Sequence, residues 1–132
     1  MKRLLDTNIC IYIIKKKPLE VLERFKAFTP TELGISSITA AELMYGAQKS
    51  QRPVENQKAV EQFLLPLMVA DFDSDAARCC GQIRAYLERI GKPIGALDLL
   101  IAAQALQLDV PVVTNNTREF ERIPGLRLEN WT

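Results

Sequence analysis

The sequence predicts an α/β domain in which a short parallel sheet of four or five strands is flanked by helices. Short apolar runs alternate with longer segments of helical periodicity along the 132 residues. Several of the short runs lead directly into polar residues that favour helix starts, as in successive βα units. Because no repeat, low-complexity segment or linker interrupts this alternation, we expect a single domain over residues 1–132.

The first βα unit consists of a strand at Arg3–Leu5 and a helix from Thr7 to Ile14, with Asp6 between them. Aspartate is a favoured N-cap, so Asp6 has a structural explanation as the residue that closes the helix start. It also lies just past the carboxyl end of a strand, where open α/β sheets bind their ligands. Both roles remain open for Asp6 at this point.

Two further acids are predicted near helix starts. Glu42 follows the predicted strand Leu33–Ser36, and Thr39-x-x-Glu42 matches a capping box, which would explain Glu42 without any function. Asp98 opens the helix Leu99–Leu108, which is apolar almost all round and must be buried on most sides. Asp98 either complements the helix dipole or points from a rigid element into a cleft.

The remaining elements follow from the same patterns. The predicted helices begin at Pro18, a plausible N1 residue, and at Val54 and Ala76, and Gly91 suits the C′ position after the last of these. Further strands are expected at Val69–Phe72, Val110–Thr114 and Arg127–Glu129, the last at a sheet edge. We interpret the run Lys15-Lys16-Lys17 as a solvated helix end rather than a phosphate-contacting patch.

Composition restricts the chemistry. The formal net charge is +1, so any polyanion must be bound by a local patch. The chain has no histidine, which removes Ser-His-Asp and Cys-His catalysis and makes a zinc hydrolase improbable. Motifs for dinucleotide and nucleoside triphosphate binding are also missing from the sequence. If the protein is an enzyme, its reactive groups are carboxylates.

The cysteines and the amino terminus indicate a cytoplasmic protein. Cys10, Cys79 and Cys80 form neither a disulfide framework nor a zinc pattern, and we interpret them as buried or half-buried thiols in a reducing compartment. Asp6 and Asn8 interrupt the first apolar run, and three lysines end it early. We therefore expect neither a signal peptide nor a membrane span.

The acids form a possible constellation. Asp6, Glu42 and Asp98 lie at or near helix starts, and Asn116 and Glu119 follow the last buried strand. Carboxylates that converge at one sheet edge repel one another unless a cation lies among them. Mg²⁺ prefers a few carboxylates together with retained waters, so this arrangement predicts a site for a hard divalent ion.

Four blocks of the sequence resemble the signature blocks of PIN-domain ribonucleases. They are Leu5-Asp6-Thr7-Asn8, Ile38-Thr39-Ala40-Ala41-Glu42-Leu43, Gly95-Ala96-Leu97-Asp98-Leu99-Leu100-Ile101-Ala102 and Val113-Thr114-Asn115-Asn116-Thr117-Arg118-Glu119-Phe120. Their spacing and the closing segment most closely resemble the VapC toxins of bacterial VapBC toxin–antitoxin systems. The resemblance covers essentially the whole chain and implies a PIN-like fold.

The resemblance also implies an endoribonuclease that depends on Mg²⁺, with Mn²⁺ as a substitute. It assigns Asp6 and Asp98 as principal metal ligands and Glu42 as a further acid. Many relatives have a fourth aspartate where this chain has Asn116, and Glu119 lies close enough in sequence to replace it. We expect one well-held metal ion. Three further polar residues, Thr7, Asn8 and Thr114, could orient a metal ligand or hydrogen-bond the phosphate of the substrate.

The partners that the resemblance implies are a cognate VapB antitoxin that covers the active site, a second toxin subunit in a homodimer, and a structured RNA such as initiator tRNA. Two alternatives remain at this stage. One is an inactive PIN scaffold that binds RNA or a protein, although the chain retains all three acids. The other is a phospho-acceptor domain using Asp6, although the paired acids and the lysine typical of such domains are missing.

Overall fold

The computed structural model describes residues 1–132 and contains five strands, seven α-helices and a 3₁₀ turn at Pro30–Glu32. The strands are β1 (Arg3–Leu5), β2 (Leu33–Ser36), β3 (Met68–Ala70), β4 (Val112–Val113) and β5 (Leu128–Glu129). The helices are α1 (Thr7–Lys15), α2 (Leu19–Lys26), α3 (Ser37–Gln48), α4 (Pro53–Leu64), α5 (Ser74–Arg89), α6 (Ala96–Leu108) and α7 (Thr117–Phe120). No helix is both long enough and apolar enough to cross a lipid bilayer.

All five strands are parallel and lie in the order β3-β2-β1-β4-β5. Leu4 pairs with Gly34 of β2 on one side and with Val112 of β4 on the other. The chain builds outward from β1 to β3 and then returns to place β4 on the other side of β1. The carboxyl ends of β1 and β4 therefore border the switch point, where open α/β sheets bind ligands.

The hydrophobic core lies on both faces of this sheet, as the prediction of flanking helices requires. Neighbouring strand residues point to opposite faces, so Leu4 and Val112 pack with α5 and α6, whereas Leu5 and Val113 pack with α1 to α4. All four side chains are fully buried. The central strands β1 and β4 are apolar at these positions because helices cover both faces of the sheet there, whereas Met68 and Val69 of the edge strand β3 are exposed.

Side-chain caps define several helix starts. Asp6 Oδ1 accepts a hydrogen bond from the Ile9 backbone N–H at 2.9 Å, and Asp73 caps α5 in the same way. Helix α3, however, is capped by Ser36, and Thr39 lies inside the helix. The predicted capping box of Thr39 and Glu42 is therefore wrong. Helix α3 begins two residues before Thr39, and the Ser36 hydroxyl accepts the hydrogen bond from the first-turn N–H of Ile38.

Several element bounds differ from the predictions by one to three residues, and α5 and α6 begin at Ser74 and Ala96 rather than at Ala76 and Leu99. Pro18 is the N-cap of α2 rather than its first helical residue. Strand β3 is shorter than predicted and begins one residue earlier. The expected strand Val110–Thr114 is reduced to β4 because the Val110 N–H bonds back to Ala105 and closes α6.

Candidate active site

Asp6 anchors the site at the end of β1. Only 3% of the residue surface is exposed, and its carboxylate accepts hydrogen bonds from the Ile9 N–H and the Thr114 hydroxyl. Burial raises the pKa of Asp6 above its ordinary value, the two hydrogen bonds oppose this, and the negative charge of Glu42 raises it further. Asp6 is therefore both the helix cap and a buried acid at the switch point, so its two predicted roles coexist.

Glu42 reaches the site from the middle of α3. Its Oε1 accepts a hydrogen bond of 2.7 Å from the Thr7 hydroxyl, which also lies 3.3 Å from the Thr39 hydroxyl. Thr7 follows Asp6 directly in sequence, so this hydrogen bond holds the Glu42 carboxylate toward the buried acid. Glu42 is thus fixed by a tertiary contact rather than by its own helix start.

Asp98, Asn116 and Glu119 form the other half of the site. Asn116 Nδ2 lies 3.3 Å from Asp98 Oδ2 and 3.2 Å from Glu119 Oε2, so one amide group donates to both carboxylates. The Asn116 backbone N–H donates to the Thr114 hydroxyl oxygen at 2.9 Å. Because Thr114 also contacts Asp6, the hydrogen-bond network runs from β1 across β4 to α7.

The acids of this network lie close together without enough nearby positive charge to balance them. Desolvation by burial, a hydrogen bond with Glu119 and the charges of Glu119 and Asp6 raise the pKa of Asp98 from 3.8 to about 7, while the Asn116 amide lowers it. None of the seven ion pairs of the structure involves an acid of the site. The acids at this edge of the sheet therefore form a cluster that a cation would stabilise.

The residues predicted from the sequence lie together here, and the structure gives several of them more definite positions. Asp6 is close enough to Glu42 and Asp98 for mutual repulsion, and Glu119 is beside Asp98. Asn8, by contrast, is exposed and lies outside the hydrogen-bond network. The bridging role of Asn116 and the Thr7–Glu42 hydrogen bond were not predicted, since neither is visible in a local sequence pattern.

The donor set suits a hard divalent ion, although it does not form a closed cage. No three His, Cys, Asp or Glu side chains are arranged so that they could hold an ion between them. The acids lie instead in two pairs, Asp6 with Glu42 and Asp98 with Glu119. Mg²⁺ commonly binds in this manner, through one or two carboxylates together with waters and substrate phosphate.

The cysteines take no part in this chemistry. Cys10 is buried behind Asp6, and burial raises the pKa of its thiol well above the ordinary value. Burial raises the pKa of Cys79 and Cys80 as well. All three thiols are free, as predicted, and a raised pKa makes them poor nucleophiles.

A parallel sheet of this order with a cluster of acids at its switch point defines an α/β domain suited to binding a cation. The family model described as "PIN domain" matches residues 3–126, and the chain belongs to that family. The predicted PIN-like fold is thereby confirmed, and the phospho-acceptor alternative is excluded.

Relatives place the chain in the VapC branch of the family. It is 50% identical over 132 residues to the tRNA(fMet)-specific endonuclease VapC of Shigella flexneri, covering 100% of this chain and 99% of that protein. The DNA-bound VapBC structure from Salmonella typhimurium matches with a TM-score of 0.94 and 52% identity, covering 100% and 99% of the two chains. The VapBC2 structure from Rickettsia felis, bound to a DNA fragment from its promoter, matches with a TM-score of 0.92 and 42% identity over the full length of both chains.

Proposed function

We propose that this VapC-family ribonuclease is the toxin of a toxin–antitoxin pair and hydrolyses RNA phosphodiesters with the help of Mg²⁺ or Mn²⁺. The observation that carries the metal dependence is the unbalanced charge of the crevice. Asp98 has a pKa of about 7 because burial desolvates its carboxylate and because Glu119 and Asp6 also repel its ionised form. A divalent cation offsets this repulsion and is the counter-charge that the site lacks.

Asp6 and Asp98 are the proposed principal ligands, and Glu42 is a further acid. Asp6 is rigid because it is buried and caps α1, and Thr7 restrains Glu42 beside it. When bound, the ion lowers the pKa of a coordinated water and offsets charge on the phosphate oxygens. With no histidine in the chain, carboxylates are the side chains left to accept a proton near neutral pH.

Asn116 and Glu119 complete the proposed site. Asn116 brings no charge, yet its amide keeps Asp98 and Glu119 side by side. Glu119 therefore supplies the acid that position 116 lacks. We expect one firmly held ion, bound partly through waters, and a weaker second ion that arrives with the RNA phosphate.

The proposed substrate is tRNA(fMet), because the Shigella relative at 50% identity is named for that specificity. The test is incubation of a labelled tRNA(fMet) transcript with purified protein in Mg²⁺, in Mn²⁺ and in excess EDTA. Cleavage in the two metals and none in EDTA is the expected result, with Asp6→Asn as the inactive control. Cleavage that persists in EDTA would contradict the metal dependence, and intact RNA under all conditions would favour an inactive scaffold.

The proposed partner is a VapB antitoxin, since the neighbouring structures are VapBC complexes. An apolar groove between α1, α3 and α4 is lined by Ile11, Ile14, Leu43 and Val60, and Glu42 is also part of its lining. An amphipathic segment with a basic residue fits this groove, because its cation would reach the acidic crevice. Co-expression with the adjacent reading frame should relieve growth arrest and yield a complex, and light scattering should show whether the toxin forms the expected homodimer.

A further inference from the structure

A second surface next to the acidic crevice carries the opposite charge. An open groove lies between the carboxyl end of α5 and the short helix α7, and we call it the basic groove. Its charged and aromatic lining consists of Tyr86, Lys92, Arg118, Glu121 and Arg122. Three of these five side chains are cations and one is an acid, in a chain whose net charge is only +1.

The cations of the basic groove differ from the other arginines of the protein. Arg89, Arg118 and Arg122 are the arginines that form no ion pair, and the last two line the groove. Lys92 also lacks an acidic partner and is exposed, like Arg118. Their charges are therefore not neutralised within the chain and remain available to an anionic ligand.

The basic groove and the acids of the site are built on the same two segments of the chain. Arg118 and Glu119 are consecutive residues of α7, one lining the groove and the other facing Asp98. On the opposite wall, Arg122 Nη1 donates to the Pro93 carbonyl at 2.8 Å, and this segment leads into Asp98 at the start of α6. A chain that occupies the groove would therefore lie next to the segments that carry Asp98 and Glu119.

We propose that the basic groove binds the RNA backbone on one side of the phosphodiester that is cut. Lys92 and Arg118 contact phosphates, Arg122 both contacts phosphate and fixes the 93–95 segment, and the half-exposed Tyr86 ring offers a face for a base. An acidic crevice repels RNA, so adjacent cations are needed to bring a phosphate to it. This proposal rests on the proposed ribonuclease function and adds the place where the substrate is held.

The test uses the full-length protein and a fluorescent tRNA(fMet) transcript in EDTA, where binding is measured without cleavage. The groove variant is Lys92→Gln with Arg118→Gln, and the control is Lys26→Gln with Lys58→Gln on α2 and α4. Both double variants lose the same charge at exposed positions without ion pairs. Kd is measured over a range of salt concentrations, and kcat and KM are measured in Mg²⁺.

We expect the groove variant to raise Kd about tenfold and to reduce the slope of log Kd against log salt by about 1.4, for two lost phosphate contacts. KM should rise with kcat little changed, because neither residue touches the acids. The Kd of the control variant should stay within about twofold of the parent value. The control loses the same net charge as the groove variant, but it loses it outside the basic groove. A parent-like groove variant, or equal losses in both double variants, would overturn the proposal.

Two further outcomes separate this proposal from its alternatives. If the groove variant binds RNA like the parent but no longer binds a polyglutamate peptide that the parent binds, the groove serves an acidic protein segment and the RNA assignment is wrong. If RNA binding depends on the groove but the parent cuts no RNA in Mg²⁺, the proposed nuclease function fails while the groove assignment stands. The single variant Arg118→Gln repeats the binding test if the double variant melts earlier than the control.

Discussion

Replacing Asp98 with asparagine should stabilise the metal-free protein at pH 8 while it abolishes RNA cleavage. In the folded protein Asp98 keeps its proton up to about pH 7, whereas its ordinary pKa is 3.8. Between these values the native state binds more protons than the unfolded chain, so the free energy of unfolding falls as the pH rises. Above pH 7 Asp98 is ionised in the folded protein as well, and the free energy of unfolding is lower by the full cost of holding that charge in the site.

The difference between the two pKa values corresponds to about 4 kcal/mol at about 1.4 kcal/mol per unit, and solvent screening of this half-buried group reduces it to ~2 kcal/mol. Asparagine has the shape of protonated aspartate. It can accept from Asn116 and donate to Glu119 without carrying charge. For a chain of this length we expect Tm to rise by about 5–10 °C at pH 8 and by much less at pH 5.

Thermal melts of the parent and the variant in EDTA from pH 5 to pH 8 measure this effect. Asp73→Asn is the matched control, because asparagine caps a helix as well as aspartate and Asp73 is exposed at the start of α5. Added Mn²⁺ should raise the Tm of the parent more than that of the variant. A variant with the same Tm as the parent at pH 8, or a lower one, would refute the cost of an ionised Asp98, from burial and from its acidic neighbours, on which the site assignment depends.

The other predictions concern single side chains of the site and of the sheet edge. Glu42→Gln should abolish most cleavage yet change Tm by no more than a few degrees, because the glutamine oxygen can still accept from Thr7 and no capping box is lost; unchanged cleavage would leave Glu42 without a role. Asn116→Asp should tighten Mn²⁺ binding in calorimetry and lower the Tm of the metal-free protein, since it replaces a donor with a fourth charge beside Asp98; Mn²⁺ affinity equal to that of the parent would argue against it. Glu129→Gln should cost ~1–2 kcal/mol by urea unfolding at pH 7, because Glu129 accepts from Arg3 at 2.8 Å and from the Trp131 indole at 3.0 Å. Although burial opposes it, these contacts lower the pKa of Glu129, so this contribution should be lost as the pH falls below its ordinary value of 4.5.

The sequence by itself determined the alternation of elements and the ends of the strands. Leu4 and Leu5 form part of a strand that is buried on both faces, and such strands are recognisable as short continuous apolar runs. Asp6 follows that run and caps the next helix, and both features depend on neighbours within three residues. Asp98 was found for the same reason, since an apolar helix that begins with an acid is a local pattern.

The contacts between elements were decided only by the tertiary structure. Thr39 and Glu42 have the spacing of a capping box, yet Ser36 begins α3 and Glu42 turns to Thr7, 35 residues away in sequence. A spacing pattern identifies residues that could form a hydrogen bond. It does not show which partner a side chain selects when folding brings a hydroxyl group from a distant part of the chain close to it. Likewise, Asn116 joins Asp98 to Glu119 only because β4 brings α7 against the start of α6. The raised pKa of Asp98 depends on burial and on the charges of Glu119 and Asp6, which lie in two other segments, and these distances exist only once the sheet has formed.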